Sequence, residues 1–307
     1  MRHMRFGLFG TGYWAAQIHA AALSTAPGAQ LIGVWGRDPA KTAAVASHYG
    51  VSAYDDPDAL LADVDGVAIA LPPNVQVPLA IRAARAGRHL LLEKPIALSP
   101  AGADELLSAV TGSGVASVVF FTNRFVPAVE QALDDAAASG GWYGARGTMT
   151  FSVFGEGSPY AGSAWRRERG GLWDLGPHVL SLVLPVLGPA VEVTAVEGLH
   201  KTSNVLIRHD GGAVSTMTVG LDVPRASSEL DIALLGDRGV IRLPVASVEP
   251  VQALVRAVAE LTRAAAGESV ERACDVRFGW QVNAVLSAAA ESTGLGAAVP
   301  VQSCPGA

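Results

Sequence analysis

Five short apolar runs, residues 5–9, 31–35, 66–71, 89–92 and 116–121, are spaced along the first part of the chain with alanine-rich stretches between them. Each run is nearly continuous in Val, Leu, Ile and Phe, the pattern of a strand buried on both faces of a parallel sheet. The stretches between, 13–24, 39–49, 57–62, 75–86 and 101–110, have helical character, with Gly28, Gly50, Gly87 and Gly112 as their stops. Strand–helix–strand repetition at this spacing implies an α/β fold with a doubly wound parallel sheet.

After Asn123 the rhythm changes. The pattern predicts a helix over 126–139, a strand over 147–154, a polar glycine-rich loop over 155–171 and a helix over 177–186. Strand-like runs follow at 190–199, 204–209, 213–221, 229–235 and 239–243. The turns Asp210-Gly211-Gly212 and Gly236-Asp237-Arg238-Gly239 point to antiparallel hairpins. Helices over 251–265 and 278–292 close the chain. The expectation is a nucleotide-binding domain over 1–122 and, over 123–307, an α+β domain with a largely antiparallel sheet for substrate and oligomer contacts.

A chain of 307 residues is long enough for two such cores. Half of the residues are hydrophobic, but Gly, Pro and charge cut the apolar bursts well short of the roughly 18–20 residues that a spanning helix needs. The start, Met1-Arg2-His3-Met4, opens on too few apolar residues for a signal sequence. Cys274 and Cys304 form neither a disulfide framework nor a zinc ligand set, so a reducing cytoplasm and no metal are expected. A net charge of −6 without a basic block gives nucleic acid or an anionic membrane nothing to bind.

The first strand runs into Gly10-Thr11-Gly12-Tyr13-Trp14-Ala15 and then a helix. Gly10 permits the tight turn, Gly12 lets backbone approach a pyrophosphate, and Ala15 keeps the helix close to the sheet. The helix N-terminus adds free N–H groups and partial positive charge. The end of the second strand sets the expected cofactor. Gly36 stands where an NAD site usually has an acid, with Arg37 and Lys41 close by. Two cations beside a small residue suit a 2′-phosphate, so NADP(H) is preferred and NAD(H) is possible. In the alternative, Arg37 stacks on adenine and Asp38 serves as the acid.

Two further segments, Glu93-Lys94-Pro95 and Trp165-Arg166-Arg167-Glu168-Arg169-Gly170-Gly171-Leu172-Trp173-Asp174-Leu175-Gly176-Pro177-His178, together with the turn, resemble the Gfo/Idh/MocA oxidoreductases over essentially the whole chain. The resemblance implies that Glu93 contacts the nicotinamide-side ribose and Lys94 the reacting oxygen, with Pro95 setting the bend. It places Leu71, Pro72 and Asn74 over the dinucleotide, Asp174 beside the substrate or the base, and His178 as the proton carrier. Gln76 departs from the family, standing about where many relatives carry histidine.

The residues themselves suit that chemistry. Hydride transfer at a carbinol carbon leaves charge on oxygen, which the Lys94 ammonium at a strand's carboxyl end would stabilise. His178 titrates near neutrality, and Asp174 lies four residues before it. The plainer readings are a solvated lysine, a helix-capping aspartate and a buried histidine. Trp165, Arg166 and Trp173 are the candidate substrate contacts, although large aromatics also build cores. His19, His48, His89, His200 and His209 read as structural. The expected function is an NADP(H)-dependent oxidoreductase acting on a sugar, cyclitol or related carbonyl compound. A non-catalytic dinucleotide sensor, or a reductase of an imine, enone or aromatic-derived substrate, stands as the alternative. One face of the second sheet lacks helices to cover it, which implies a homodimer or homotetramer.

Overall fold

The computed structural model describes residues 3–246, 248–270 and 274–305. The expected outer domain limits, Met1 and Ala307, lie outside the described residues. In chain order, β1 (Met4–Phe9) passes through a π-helical turn (Ala15–His19) into α1 (Ala20–Thr25). Then come β2 (Ala29–Trp35), α2 (Pro39–Tyr49), β3 (Ser52–Tyr54), α3 (Pro57–Asp63), β4 (Gly66–Ile69) and α4 (Pro73–Arg85). β5 (His89–Glu93), α5 (Pro100–Ser113) and β6 (Ser117–Phe120) complete a parallel sheet of order β3-β2-β1-β4-β5-β6. Every residue of β4 and β6 is buried, as their unbroken apolar sequences require.

Local chemistry explains most boundaries. Asp38 caps α2 with Pro39 in its first turn, and Gly50 ends it at φ 66°. α5 runs on past Gly112 to Gly114 (φ 64°), two residues further than its glycine signal suggested. β3 escaped the sequence pattern because it is three residues long and largely exposed at the sheet edge.

The second unit comprises α6 (Pro127–Ser139), β7 (Trp142–Thr150), α7 (Ala164–Asp174), α8 (Gly176–Leu187), β8 (Ala190–Glu197) and β9 (Ser203–His209). β10 (Val214–Gly220), β11 (Glu229–Gly236) and β12 (Gly239–Arg242) follow. α7 replaces much of the loop expected over 155–171. Its polar Trp-Arg-Arg-Glu-Arg run hid it, and Gly170 at φ 68° breaks its regularity. With β13 (Val299–Pro300) from the end of the chain, the sheet order is β12-β11-β7-β10-β9-β8-β13, antiparallel except for the β7–β10 pair.

The chain closes with α9 (Pro250–Ala265), α10 (Val276–Leu295) and β13 (Val299–Pro300). The expected single cut after Thr122 is corrected here. The first compact unit is Met1–Phe125 with Glu249–Trp280, and the second is Val126–Val248 with Gln281–Ala307. α9 returns to the parallel sheet because it carries an apolar stripe of Ala253, Leu254, Ala257, Val258 and Leu261, all buried against α1, β5 and β6. The outer edge of β6 is also satisfied there, Val119 N–H donating to the Cys274 carbonyl at 2.6 Å. Among the described residues, one helical segment, Ala164–Leu187, is long and apolar enough to cross a membrane, and 78% of its apolar window is buried inside the protein.

Candidate active site

The phosphate turn is built by the carboxyl ends of β1, β2 and β4. Gly10 stands at φ 130° and donates its N–H to the Trp35 carbonyl at 2.9 Å. A Cβ there would sit 2.6 Å from the Ala70 carbonyl oxygen, so backbone alone excludes a side chain. At Gly12 a Cβ would meet no atom within 4 Å. Protein packing therefore gives no reason for that glycine, whereas close approach of a pyrophosphate does, and the turn fits a dinucleotide. Thr11 packs beside Gly36, and Tyr13 projects outward, 52% exposed.

Gly36 proves to have a packing reason of its own. A Cβ would stand 2.7 Å from Thr11 Cγ2 and 3.0 Å from Thr42 Oγ1. Asp38 is committed elsewhere, since its Oδ1 accepts from the N–H groups of Ala40 (3.0 Å) and Lys41 (3.1 Å). Lys41 Nζ lies 3.8 Å from Asp38 Oδ2. Arg37 is exposed and makes no ion pair among the described residues.

At the end of β5, Glu93 and Lys94 are partly exposed, and the Lys94–Pro95 peptide is cis. Two indole and imidazole donors reach the same Glu93 oxygen: Trp14 Nε1–H at 2.7 Å and His19 Nε2–H at 2.8 Å from Oε1. The backbone of this segment is held by Gln76, which is fully buried on α4. Its Nε2 donates to the carbonyls of Glu93 at 2.8 Å and Pro95 at 3.3 Å, and its Oε1 accepts from Glu93 N–H at 2.8 Å. Sequence reasoning missed this role. The available signal was a glutamine among the apolar residues of an amphipathic helix. Leu71 and Pro72 are half-buried before α4, where the Pro72 carbonyl accepts from Val75 and Gln76, and Asn74 is exposed in the first turn.

In the second unit, Asp174 ends α7 and His178 lies in the first turn of α8, bridged by Leu175 in right-handed helical conformation. The four-residue spacing thus survives Pro177, which sits in the opening turn where its missing N–H costs nothing. Asp174 is buried, 7% exposed, and accepts from Arg166 Nε at 2.8 Å, so the helix-cap reading is replaced by an ion pair. The Arg166 guanidinium lies 4.5 Å from the Tyr160 ring centre and 4.7 Å from that of Trp165. Trp165 and Arg166 are half-buried, while Trp173 is 5% exposed and belongs to the core.

The two glycines before Leu172 have separate duties. Gly170 stands at φ 68° and ψ −165°, a region essentially reserved for glycine, and a Cβ on Gly171 would stand 2.6 Å from Gly220 N of β10. Their pairing lets α7 lie against the sheet and carry Asp174 with it.

A glycine turn at the head of a parallel sheet, with Glu-Lys at the end of β5, defines a dinucleotide-dependent oxidoreductase. Residues 4–121 match the oxidoreductase family with an NAD-binding Rossmann fold, Gfo/Idh/MocA, and residues 148–242 match the C-terminal domain of the same family. The chain belongs to the Gfo/Idh/MocA family. It is 26% identical over 258 residues to dTDP-3,4-didehydro-2,6-dideoxy-alpha-D-glucose 3-reductase of Streptomyces antibioticus, spanning 80% of this chain and 77% of that protein. Over 137 residues it is 37% identical to inositol 2-dehydrogenase of Rhizobium meliloti, 43% of this chain and 41% of that one. In fold it is similar to GenD2 from gentamicin A biosynthesis, solved in complex with NAD (TM-score 0.86, 23% identity, 99% and 97% of the two chains).

Proposed function

We propose that this protein transfers a hydride between a nicotinamide dinucleotide, NADP(H) in preference to NAD(H), and the hydroxyl or carbonyl carbon of a sugar- or cyclitol-like molecule. The observation that carries the reading is Lys94 at the carboxyl end of β5, beside a Glu93 fixed behind the glycine turn. The relatives named as a sugar reductase and an inositol dehydrogenase support the substrate class.

The bound dinucleotide supplies the hydride acceptor or donor. The turn Gly10, Thr11, Gly12, Tyr13, Trp14 would hold its pyrophosphate, with Leu71, Pro72, Asn74 and Glu93 on the nicotinamide side. The Lys94 ammonium stabilises negative charge developing on the reacting oxygen. His178 takes the hydroxyl proton in oxidation and returns it in reduction. Asp174, held by Arg166, orients substrate and imidazole, and Trp165 and Arg166 flank the substrate. Lack of a free acid after β2, with Arg37 exposed and Asp38 engaged as a cap, supports the 2′-phosphate preference.

Replacing Lys94 with Ala should lower turnover by orders of magnitude while the dinucleotide still binds. Unchanged turnover would overturn the assignment. The protein works in a reducing cytoplasm, where the buried Cys274 and Cys304 stay reduced. It assembles as a homodimer or homotetramer through the outer face of the second sheet, where Val196, Leu206 and Val214 stand exposed on one side.

A further inference from the structure

We infer that His19 and Trp14 are positioning residues for the dinucleotide, acting through Glu93; the inference rests on the oxidoreductase reading above. Both donate to one carboxylate oxygen, Oε1, at 2.8 and 2.7 Å. Oε2 accepts no hydrogen bond among the described residues, and the Glu93 side chain retains 13% exposure. A carboxylate tied by one oxygen and presenting the other is set to accept from a ligand hydroxyl, and an ionised acceptor gives the stronger class of hydrogen bond.

The backbone is shaped for this pairing. Trp14 and His19 are five residues apart, which on a regular α-helix leaves them about 140° apart around the axis. The wider turn between them, in which Ala20 N–H donates to the Ala15 carbonyl, brings positions five apart onto one side. The Tyr49 hydroxyl supports the turn, donating to the Ala16 carbonyl at 2.6 Å. His19 itself is completely buried, with its ring edge-on to Phe120 at 6.2 Å and its Nδ1 without a hydrogen-bond partner. A buried imidazole with one nitrogen unsatisfied is a poor choice for packing alone, because the unpaired atom costs stability that an apolar side chain would not. Its one directed contact is the one to Glu93.

The consequence is that His19 and Trp14, through Glu93, select how the ribose next to the reacting ring is held, and that His19 leaves the adenosine half untouched. Calorimetric titration of the full chain with NADPH, NADH and ADP separates the halves, since ADP carries the pyrophosphate and adenosine but no second ribose. His19→Ala should weaken dinucleotide binding on the order of tenfold and leave ADP binding unchanged, and Trp14→Phe, which removes the other donor to Glu93 Oε1, should also weaken dinucleotide binding. His19→Gln, which keeps a donor of similar reach, should recover most of the loss. In a Glu93→Ala background, His19→Ala should add nothing, because the group it acts through is gone.

Equal weakening of dinucleotide and ADP would show damage to the turn and overturn the inference. So would full additivity with Glu93→Ala, or no effect of His19→Ala. A wild-type protein that binds neither dinucleotide overturns the oxidoreductase reading instead, which keeps the two failures distinct.

Discussion

Gln76 on α4 forms a two-way amide pair with Glu93 at the tip of β5, its Nε2 donating to the Glu93 carbonyl and its Oε1 accepting the Glu93 N–H, both at 2.8 Å. The pair does for the end of β5 what a neighbouring strand would do elsewhere, and it fixes where Lys94 begins.

Truncating that clamp should be costly. Gln76→Ala leaves the Glu93 backbone amide and carbonyl without protein partners, each unmade bond worth about 1–3 kcal/mol. Chemical denaturation should show a loss of about 2 kcal/mol or more, and dinucleotide affinity should fall with it. Stability equal to wild type would contradict the clamp.

Arg37 should discriminate between the dinucleotides. Arg37→Ala is expected to lower kcat/KM for NADPH about tenfold, the loss of a charge-assisted contact, and to leave NADH nearly unaffected. Equal losses for both would mean that the guanidinium stacks without reading the 2′-phosphate.

The glycine pair on α7 offers a graded test of packing against conformation. Gly170→Ala pays mainly for a backbone at φ 68° and ψ −165°, a region essentially reserved for glycine, about 1–3 kcal/mol. Gly171→Ala drives a methyl into the Gly220 backbone 2.6 Å away, where no flexible side chain can yield. Its loss should be the larger of the two by urea midpoint, and reversal of that order would refute the close approach.

Glu260 on α9 should make stability depend on pH. Burial pushes its carboxyl up to about 7, with Arg124, Arg263 and Arg256 pulling the other way. The folded state therefore holds a proton that the unfolded chain, titrating near 4.5, has released, so stability present at low pH is lost as pH rises from about 4.5 through 7. Comparing denaturation midpoints at about pH 5 and 8, wild type should lose on the order of 2 kcal/mol relative to Glu260→Gln. Parallel profiles would remove Glu260 as the source.

Assembly is tested at Leu206, 44% exposed on the outer face of β9. Leu206→Glu should shift the light-scattering mass toward that of one chain of 31.5 kDa while leaving the fold intact. A wild-type mass already at that value would dismiss the oligomer.

Where residues act on near neighbours, they announced themselves. The parallel strands could be read because burial on both faces demands unbroken apolar runs, and Gly10, Gly12 and Ala15 could be read because a phosphate turn is a local device. Gly50 marked the end of α2 by cap chemistry alone, whereas Asp38, weighed only as an acid for the cofactor, turned out to cap its start. Tertiary structure decided the rest, because those roles depend on partners far along the chain. Gly36 is small partly because Thr11 and Thr42 crowd it, and Gln76 matters because it faces a strand end 17 residues away. α9 belongs to the first sheet because its apolar stripe finds β5 and β6 across more than a hundred residues of intervening chain. His19, read as structural from its sequence setting, reaches Glu93 only because the helix after the glycine turn widens by one residue. Periodicity records the faces that an element buries; which group waits opposite a buried polar atom is settled only when the chain has folded.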